Sequence, residues 1–364
     1  MNLLIPNFGS TSLKYQLIEM PRERVLARGK AERVSDYKAA IAAMDLGGSR
    51  ADAVAFKAVH GGPHYRGTFI IDDGVIAALE EFLPAAPAHN AIYLTGIRAF
   101  REAMPDTPLI AAFETEFHAT IPEAAARYGV PADWCERYGV RKYGFHGASH
   151  QYVSEYAAAV MGRPVRLVSC HLGGSSSMCA IDRGRSIDTT MGFSPQSGLE
   201  NATRHGDLDV FAVLYMMQRC GWNVAEVSRQ LAGMGGLAGL SGIPGGDVRD
   251  LEKAIAEGSQ AAALALDVFV YEVKKTIGAY AAAMGGLDAV AFTGGIGENS
   301  AVLRARCCEG LEFLGVHLDA ELNFKGGIVS SAGSKVTVMT LQTNEELIVA
   351  RRAYRKFSET ISFN

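Results

Sequence analysis

The chain has 364 residues, 39 acidic against 35 basic, a net charge of −4 and a hydrophobic content of 48%. Single cores stop growing at roughly 250 to 300 residues, so two domains are the default, and the slight acidity excludes broad electrostatic binding of nucleic acid or an anionic membrane surface. The six cysteines show no CxxC spacing, the N-terminus lacks the basic start of a secretory signal and no apolar run reaches the roughly 20 residues of a membrane span, so reduced thiols and a cytoplasmic location are expected.

Leu3 to Ile18 reads LLIPNFGSTSLKYQLI, an apolar run broken by a Gly and Ser turn, which predicts a hairpin. Another strand and a short helix are expected before Asp45, then a strand at 53–59 that ends in the glycine turn His60 to Gly62. Helices follow at 74–82 and, beyond APAHN, at 91–104. The apolar run Leu109 to Phe113 then delivers Glu114 at its carboxyl end, where ligands of open α/β sheets gather. Residues 121–143, rich in Pro and charge, read as a crossover, and a helix starting near Gly147 leads into LVSCHLGGSSSMCAI at Leu167 to Ile181. A long polar loop spans 188–209. Helices dominate from Val210 to Met284, interrupted by the Gly-rich stretch 239–250; the longest apolar run among them, at 261–283, reads as a buried amphipathic helix. The strand at 289–293 runs into GGIGEN, which opens a helix. In TNEEL, at 343–347, Thr343 is the expected cap, Glu346 its capping-box partner and Glu345 a first-turn carboxylate.

The second hairpin repeats the plan of the first. Asn7 aligns with His171, Phe8 with Leu172 and Gly9 with Gly173, and beyond the extra Gly174 the serines Ser10 and Ser12 match Ser175 and Ser177. DAVAF also occurs twice, at 52–56 and 288–292, and a glycine turn follows each copy. Self-similarity over so long a period points to duplication of a whole α/β domain, with the two copies facing each other across a ligand. Glycine turns let backbone N–H groups approach a phosphate, hydroxyls add donors and a helix N-terminus completes the set, so a nucleoside polyphosphate is the expected ligand. His146 and His150, four apart in GFHGASH, also suit a zinc pair on one helix face, although the HExxH glutamate is absent. The plainer reading has one histidine lining the cleft and the other packing.

Nine segments now carry a resemblance: NFGSTSLKYQL, AVHGG, FETEFH, YGFHGASH, CHLGGSSS, MGFSP, ATRHGDLD, FTGGIGENS and TNEELIVAR. In this order, across nearly the whole chain, they resemble the signature segments of the acetate kinase family of actin-like phosphotransferases. The resemblance implies an α/β fold of two duplicated actin-like (ribonuclease H-like) domains, residues 1–117 plus 343–364 and residues 118–342, closing over a cleft. It implies reversible phosphorylation of a small carboxylate, dependent on ATP and Mg2+, by a homodimer. By position it sets Asn7 and Glu345 near magnesium, and Lys14, with Ser10 and Ser12, near the ATP phosphates. His171, Leu172, Gly173, Gly174 and Ser175 would follow the polyphosphate. Asp247, Val248 and Arg249, with Gly295, Ile296, Gly297, Glu298 and Asn299, would surround the nucleoside. His146 and Arg204 match the transition-state stabilisers, Glu114 the catalytic acidic position, and Val59, His89, Phe145 and Pro195 the substrate pocket.

The departures lie at the acyl end. Glu114 replaces the family's aspartate and reaches roughly 1 to 1.5 Å further, a displacement that can cost about 100-fold in rate. Lys57 replaces an arginine and lacks the bidentate fork. Ala88 replaces a leucine and widens the apolar wall, and the chain is shorter than the family before AVHGG. Together these changes suggest an acid other than acetate, with Arg66 a candidate for the missing guanidinium; the plainer reading is neutral drift within an ordinary acetate or propionate kinase. Two rivals remain at this stage: a nucleotide sensor that has lost catalysis, and a sugar or polyol kinase with Glu114 as its base. Intact Asn7, Lys14, His146, Arg204 and Glu345 count against the first, and CHLGGSSS and TNEELIVAR against the second.

Overall fold

The computed structural model describes residues 1–9 and 11–362, so Ser10 lies outside the described residues, as does the side chain of Ala88. The first sheet comprises β1 (Asn2–Gly9), β2 (Ser12–Glu19), β3 (Arg24–Glu32), β4 (Ala53–Ala58), β5 (Thr68–Ile70) and β6 (Leu109–Phe113) in the order β3-β2-β1-β4-β6-β5. The second comprises β7 (Arg166–His171), β8 (Ser177–Asp182), β9 (Arg185–Thr189), β10 (Ala289–Thr293), β11 (Gly327–Ile328) and β12 (Thr337–Thr340) in the order β11-β12-β10-β7-β8-β9. Read from its other edge, the second sheet repeats the first strand for strand. The directions repeat too: antiparallel through each opening meander, parallel through β1, β4 and β6 and through β7, β10 and β12, antiparallel at the last edge. Each meander even slips register at the same place, between Leu17 and Ile18 and between Ala180 and Ile181.

The repeated DAVAF explains much of this. Its apolar residues open β4 and β10 and are fully buried, as expected of central parallel strands covered on both faces. Its aspartate has one task in both halves. Asp52 accepts from the Asn2 amide at 2.7 Å and Asp288 from the Arg166 amide at 2.8 Å, so each fixes the start of the neighbouring strand, β1 or β7.

Helices cover the four sheet faces. The helix Pro87–Ala103 packs on one face of the first sheet, and the C-terminal helix Glu345–Ser362 on the other through Val349, Ala350 and Ala353. In the second half, the helix Gly147–Met161 covers one face through Val153 and Ala157, while Gln260–Ala283 covers the other through Phe269, Val273 and Ile277. The C-terminal helix also meets Gly147–Met161, where buried Arg352 donates to Gln151 Oε1 at 2.6 and 3.0 Å and to the Phe113 carbonyl at 3.2 Å. A fully buried guanidinium is tolerated because these acceptors take up its protons.

Two local expectations, at APAHN and at the last helix cap, need correction, and one segment gains detail. APAHN does not precede its helix: Pro87 occupies the first turn, where its missing N–H costs nothing. The crossover contains two short helices, Glu123–Ala126 and Ala132–Tyr138. Asn344, not Thr343, caps the C-terminal helix by accepting from the Leu347 amide at 3.1 Å, and the Thr343 hydroxyl is buried without a partner.

Candidate active site

β4 and β6 lie side by side and parallel, so their carboxyl ends bring Lys57 and Glu114 to one edge of the first sheet. The start of the C-terminal helix adds Glu345. Lys57 Nζ makes a short ion pair with Glu345 Oε2. Burial works against the ammonium, but the Glu345 and Glu114 carboxylates outweigh it and hold its pKa well above the lysine range. Burial likewise opposes the Glu345 carboxylate, yet Lys57 and His171 keep its pKa below the usual value. Glu114 is only 4% exposed, and neither carboxylate oxygen has a hydrogen-bond partner. Burial pushes its pKa up to about 7, against the pull of Lys57 and with the push of Glu345. Its oxygens are hard donors whose favourable neighbours are the Lys57 and Arg352 cations and the Gly147 amide.

Behind Glu114 the chain turns sharply. A Cβ on Gly147 would stand 2.0 Å from the Glu114 carbonyl oxygen, so only glycine lets the helix Gly147–Met161 begin so close to β6. Immediately before it, His146 holds a left-handed backbone, φ 55° and ψ 28°, which is rare for a side chain of its size and is a local strain of the kind found at working sites. Its ring stacks on His171 with centroids 4.3 Å apart. His146 Nε2 meets Ser175 Oγ at 3.2 Å and Nδ1 meets Ser177 Oγ at 2.8 Å. Burial, then the neighbouring His171 and His150, depress the His146 pKa well below the histidine range, so the ring is neutral near pH 7. His171 Nδ1 in turn meets Ser149 Oγ at 2.8 Å, and burial lowers its pKa as well.

Arg204 comes from the long loop before the helix Val210–Cys220 and donates to the Pro195 carbonyl at 2.8 Å. Arg204 and Lys57 both act on His89, whose pKa burial and these two cations bring down to about 4. Val59 and Phe145 are buried in one apolar cluster beside this group, and Pro195 is buried on the loop. The predicted catalytic and acyl-end residues Glu114, His146, Arg204, Lys57, Val59, His89, Phe145 and Pro195 therefore gather from both halves of the molecule.

Next to them lies a cleft of about 1220 Å³ lined by the turns of the second half. Gly173, Gly174, Asp247, Val248, Arg249, Gly295, Ile296, Glu298 and Asn299 all line it. Leu172 and Gly297 do not. The Leu172 carbonyl instead accepts from the Ile296 and Gly297 amides at 2.9 and 3.1 Å, stitching the β7 turn to the helix Gly294–Asn299. Asp247 is engaged as well, capping the helix Val248–Ala256 and pairing with the Arg249 guanidinium at 2.6 Å. A smaller cavity of about 360 Å³ is lined by Asn7, Lys14 and Glu346 among others. Ser12, at the start of β2, pairs with Gly9 across the first hairpin.

Two placements differ from expectation. Arg66 does not stand in for a guanidinium beside Lys57: it donates to the His118 carbonyl at 3.3 Å and lies 5.6 Å from the Tyr143 ring centroid. Asn7 meets Glu346 Oε1 at 3.4 Å, whereas Glu345 is taken by Lys57. Adjacent helix residues point about 100° apart, so the two glutamates serve different neighbours. The zinc reading also fails on geometry. His146 precedes the helix, both rings bond the same Ser177 hydroxyl, and no group of three or more His, Cys, Asp or Glu suited to a metal occurs among the described residues.

Sequence reasoning missed several groups here. Tyr93 is buried beside Lys57, and burial pushes its pKa up to about 12. His60 Nε2 donates to the Phe193 carbonyl at 2.9 Å while Nδ1 accepts from Gly62 at 3.1 Å, pinning the 188–209 loop onto the first half. A histidine directly before two glycines is the one signal that could have marked it.

A sequence profile of the Acetokinase family matches residues 43–351. The chain belongs to the acetokinase family. The acetate kinase of Geobacillus kaustophilus is 43% identical over 97% of this chain and 98% of its own, and that of Shouchella clausii 41% over 96% and 98%. Among solved structures, the acetate kinase of Porphyromonas gingivalis superposes with a TM-score of 0.86 at 35% identity, covering 97% of this chain and 99% of that one. A propionate kinase from Francisella tularensis gives 0.88 at 31% identity, covering 96% and 98%. As a family member the chain is a phosphotransferase with a carboxylate acceptor, and its paired sheets are duplicated actin-like domains. No helix among the described residues is long and apolar enough to cross a membrane.

Proposed function

We propose that this chain transfers the terminal phosphoryl group of ATP reversibly to a short carboxylic acid, larger or more substituted than acetate, giving an acyl phosphate. The observation that supports it most is the convergence of Glu114, Lys57, His146 and Arg204, from both halves, beside a glycine-lined cleft. A carboxylate is already a nucleophile at pH 7, so the reaction needs alignment and neutralisation of the charge on the equatorial phosphoryl oxygens. Arg204 is suited to that charge because it stays ionised in its half-buried seat, although burial lowers its pKa. Neutral His146 can donate one hydrogen bond without adding charge. Lys57 reaches the acyl end once it leaves Glu345, and Val59, Phe145 and Pro195 exclude water there.

A divalent cation fits the same group. The Glu114 carboxylate oxygens are hard donors and Glu345 joins them when Lys57 moves away, while Asn7 stands with Glu346 at the smaller cavity. Magnesium usually takes only one or two carboxylates and completes its shell with phosphates and water, so the absence of a three-ligand cluster is consistent with it. When bound with the nucleotide, such an ion supplies charge neutralisation at the phosphates. The first domain is taken as residues 1–117 plus 343–364, the second as 118–342. A second copy covers the apolar helices Val210–Cys220 and Val224–Gly233, and the free cysteines fit a reducing cytoplasm.

Trapping acyl phosphate as the hydroxamate across a panel of short acids tests the acceptor. Propionate or a branched or substituted acid should give the highest kcat/KM; acetate leading the panel would overturn the acceptor assignment.

A further inference from the structure

Between the helix Gly147–Met161 and strands β7 and β8, the fully buried polar side chains Ser169, His150 and Ser177 lie among apolar Val153, Leu167 and Ile181, beside buried Ser149, which bonds His171. The first three form one line. Ser169 Oγ meets His150 Nδ1 at 2.9 Å, His150 Nε2 meets Ser177 Oγ at 2.9 Å, and Ser177 Oγ meets His146 Nδ1 at 2.8 Å. The line ends at His146 Nε2, 3.2 Å from Ser175 Oγ on the β7–β8 turn.

Counting protons restricts what this line can do. A neutral imidazole carries one N–H, and a hydroxyl carries one proton. Ser177 sits between two ring nitrogens, so it donates to one and accepts from the other. The tautomers of His146 and His150 are therefore locked together. In one arrangement every proton points from Ser169 toward His146, which leaves His146 Nε2 as an N–H aimed at the turn. In the other every proton points inward, and a bare Nε2 lone pair faces the turn. An anionic phosphoryl group beside that turn attracts the first and repels the second.

We propose that Ser177, His150 and Ser169 are positioning residues that fix His146 with its Nε2–H directed at the transferring phosphoryl group. The proposal rests on the phosphoryl-transfer reading above. His171, stacked on the opposite face of His146, and the left-handed backbone at His146 hold the ring in plane with the relay. An apolar trio would fill the same space, but would leave the orientation of the His146 proton to chance.

Nitrogen NMR of the histidine-labelled chain reads the tautomer directly, without turnover. The expected spectrum has His146 protonated at Nε2 and bare at Nδ1. Ser177→Ala should lose that preference and lower kcat by about 10- to 100-fold with the KM for ATP unchanged. His150→Gln, which keeps an amide donor for Ser177, should retain more kcat than His150→Leu. A wild-type His146 protonated at Nδ1 would overturn the proposal, as would Ser177→Ala with tautomer and kcat intact. If Ser177→Ala does not fold, the wild-type spectrum and the two His150 variants decide it. A relay that behaves as described in a chain that phosphorylates no acid would overturn the phosphoryl-transfer reading instead.

Discussion

At the scale of single residues, burial of ionisable groups is the feature with the widest consequences. His60 and His118 are both completely buried, and burial lowers each pKa to about 4. Between that value and the ordinary 6.5 the unfolded chain binds a proton that the folded chain refuses, so stability is full above 6.5 and falls as pH drops toward 4. Each group contributes a slope of up to about 1.4 kcal/mol per pH unit. Urea unfolding at steps from pH 7 to 4.5 should show this decline, and His60→Gln should be less stable at pH 7 yet shallower in its pH dependence. An unchanged slope would mean that His60 is already protonated in the folded chain. The candidate groups were legible through their resemblance to the family's segments, because glycine turns, AVHGG and YGFHGASH are local patterns. That resemblance did not show that Lys57 would take Glu345, since that pair spans 288 positions and is set by the packing of the last helix on β4.

At the scale of elements, the repeated hairpins and the two DAVAF strands were legible because each needs only a period-two or continuous apolar pattern and a glycine turn. Edge strands β5 and β11 were not, being three and two residues long. The cap of the last helix went to Asn344 and not Thr343 because two adjacent residues can both cap, and only tertiary contacts choose between them. The junction of β6 with the helix at Gly147 makes a sharper demand. Gly147→Ala drives a Cβ into the Glu114 carbonyl, so it should destabilise the chain by about 1 to 3 kcal/mol and lower kcat by displacing Glu114 and His146 together. Denaturant midpoints and turnover measured on one preparation check both effects. Wild-type stability in this variant would show that the helix starts elsewhere.

At the scale of the whole molecule, the helices Val210–Cys220 and Val224–Gly233 leave a broad apolar face uncovered, with Phe211 and Val224 each 73% exposed and Tyr215 60%. Contiguous apolar surface of this kind is seldom left to water. Light scattering should give twice the chain mass of 38.8 kDa for the wild type and the single mass for Phe211→Glu with Leu214→Glu; a wild-type monomer would contradict the proposed second copy. The duplication also explains why the site needs both halves. The first supplies Lys57, Glu114 and the last helix, the second His146, His171 and the glycine-lined cleft, and Arg204 reaches across from the loop that His60 pins. Arg204→Ala isolates that convergence. Hydroxamate formation and ATP binding by calorimetry, measured side by side, should show kcat lower by about 10²- to 10³-fold with the Kd for ATP unchanged. An Arg204→Ala chain that turns over at the ordinary rate would contradict the account.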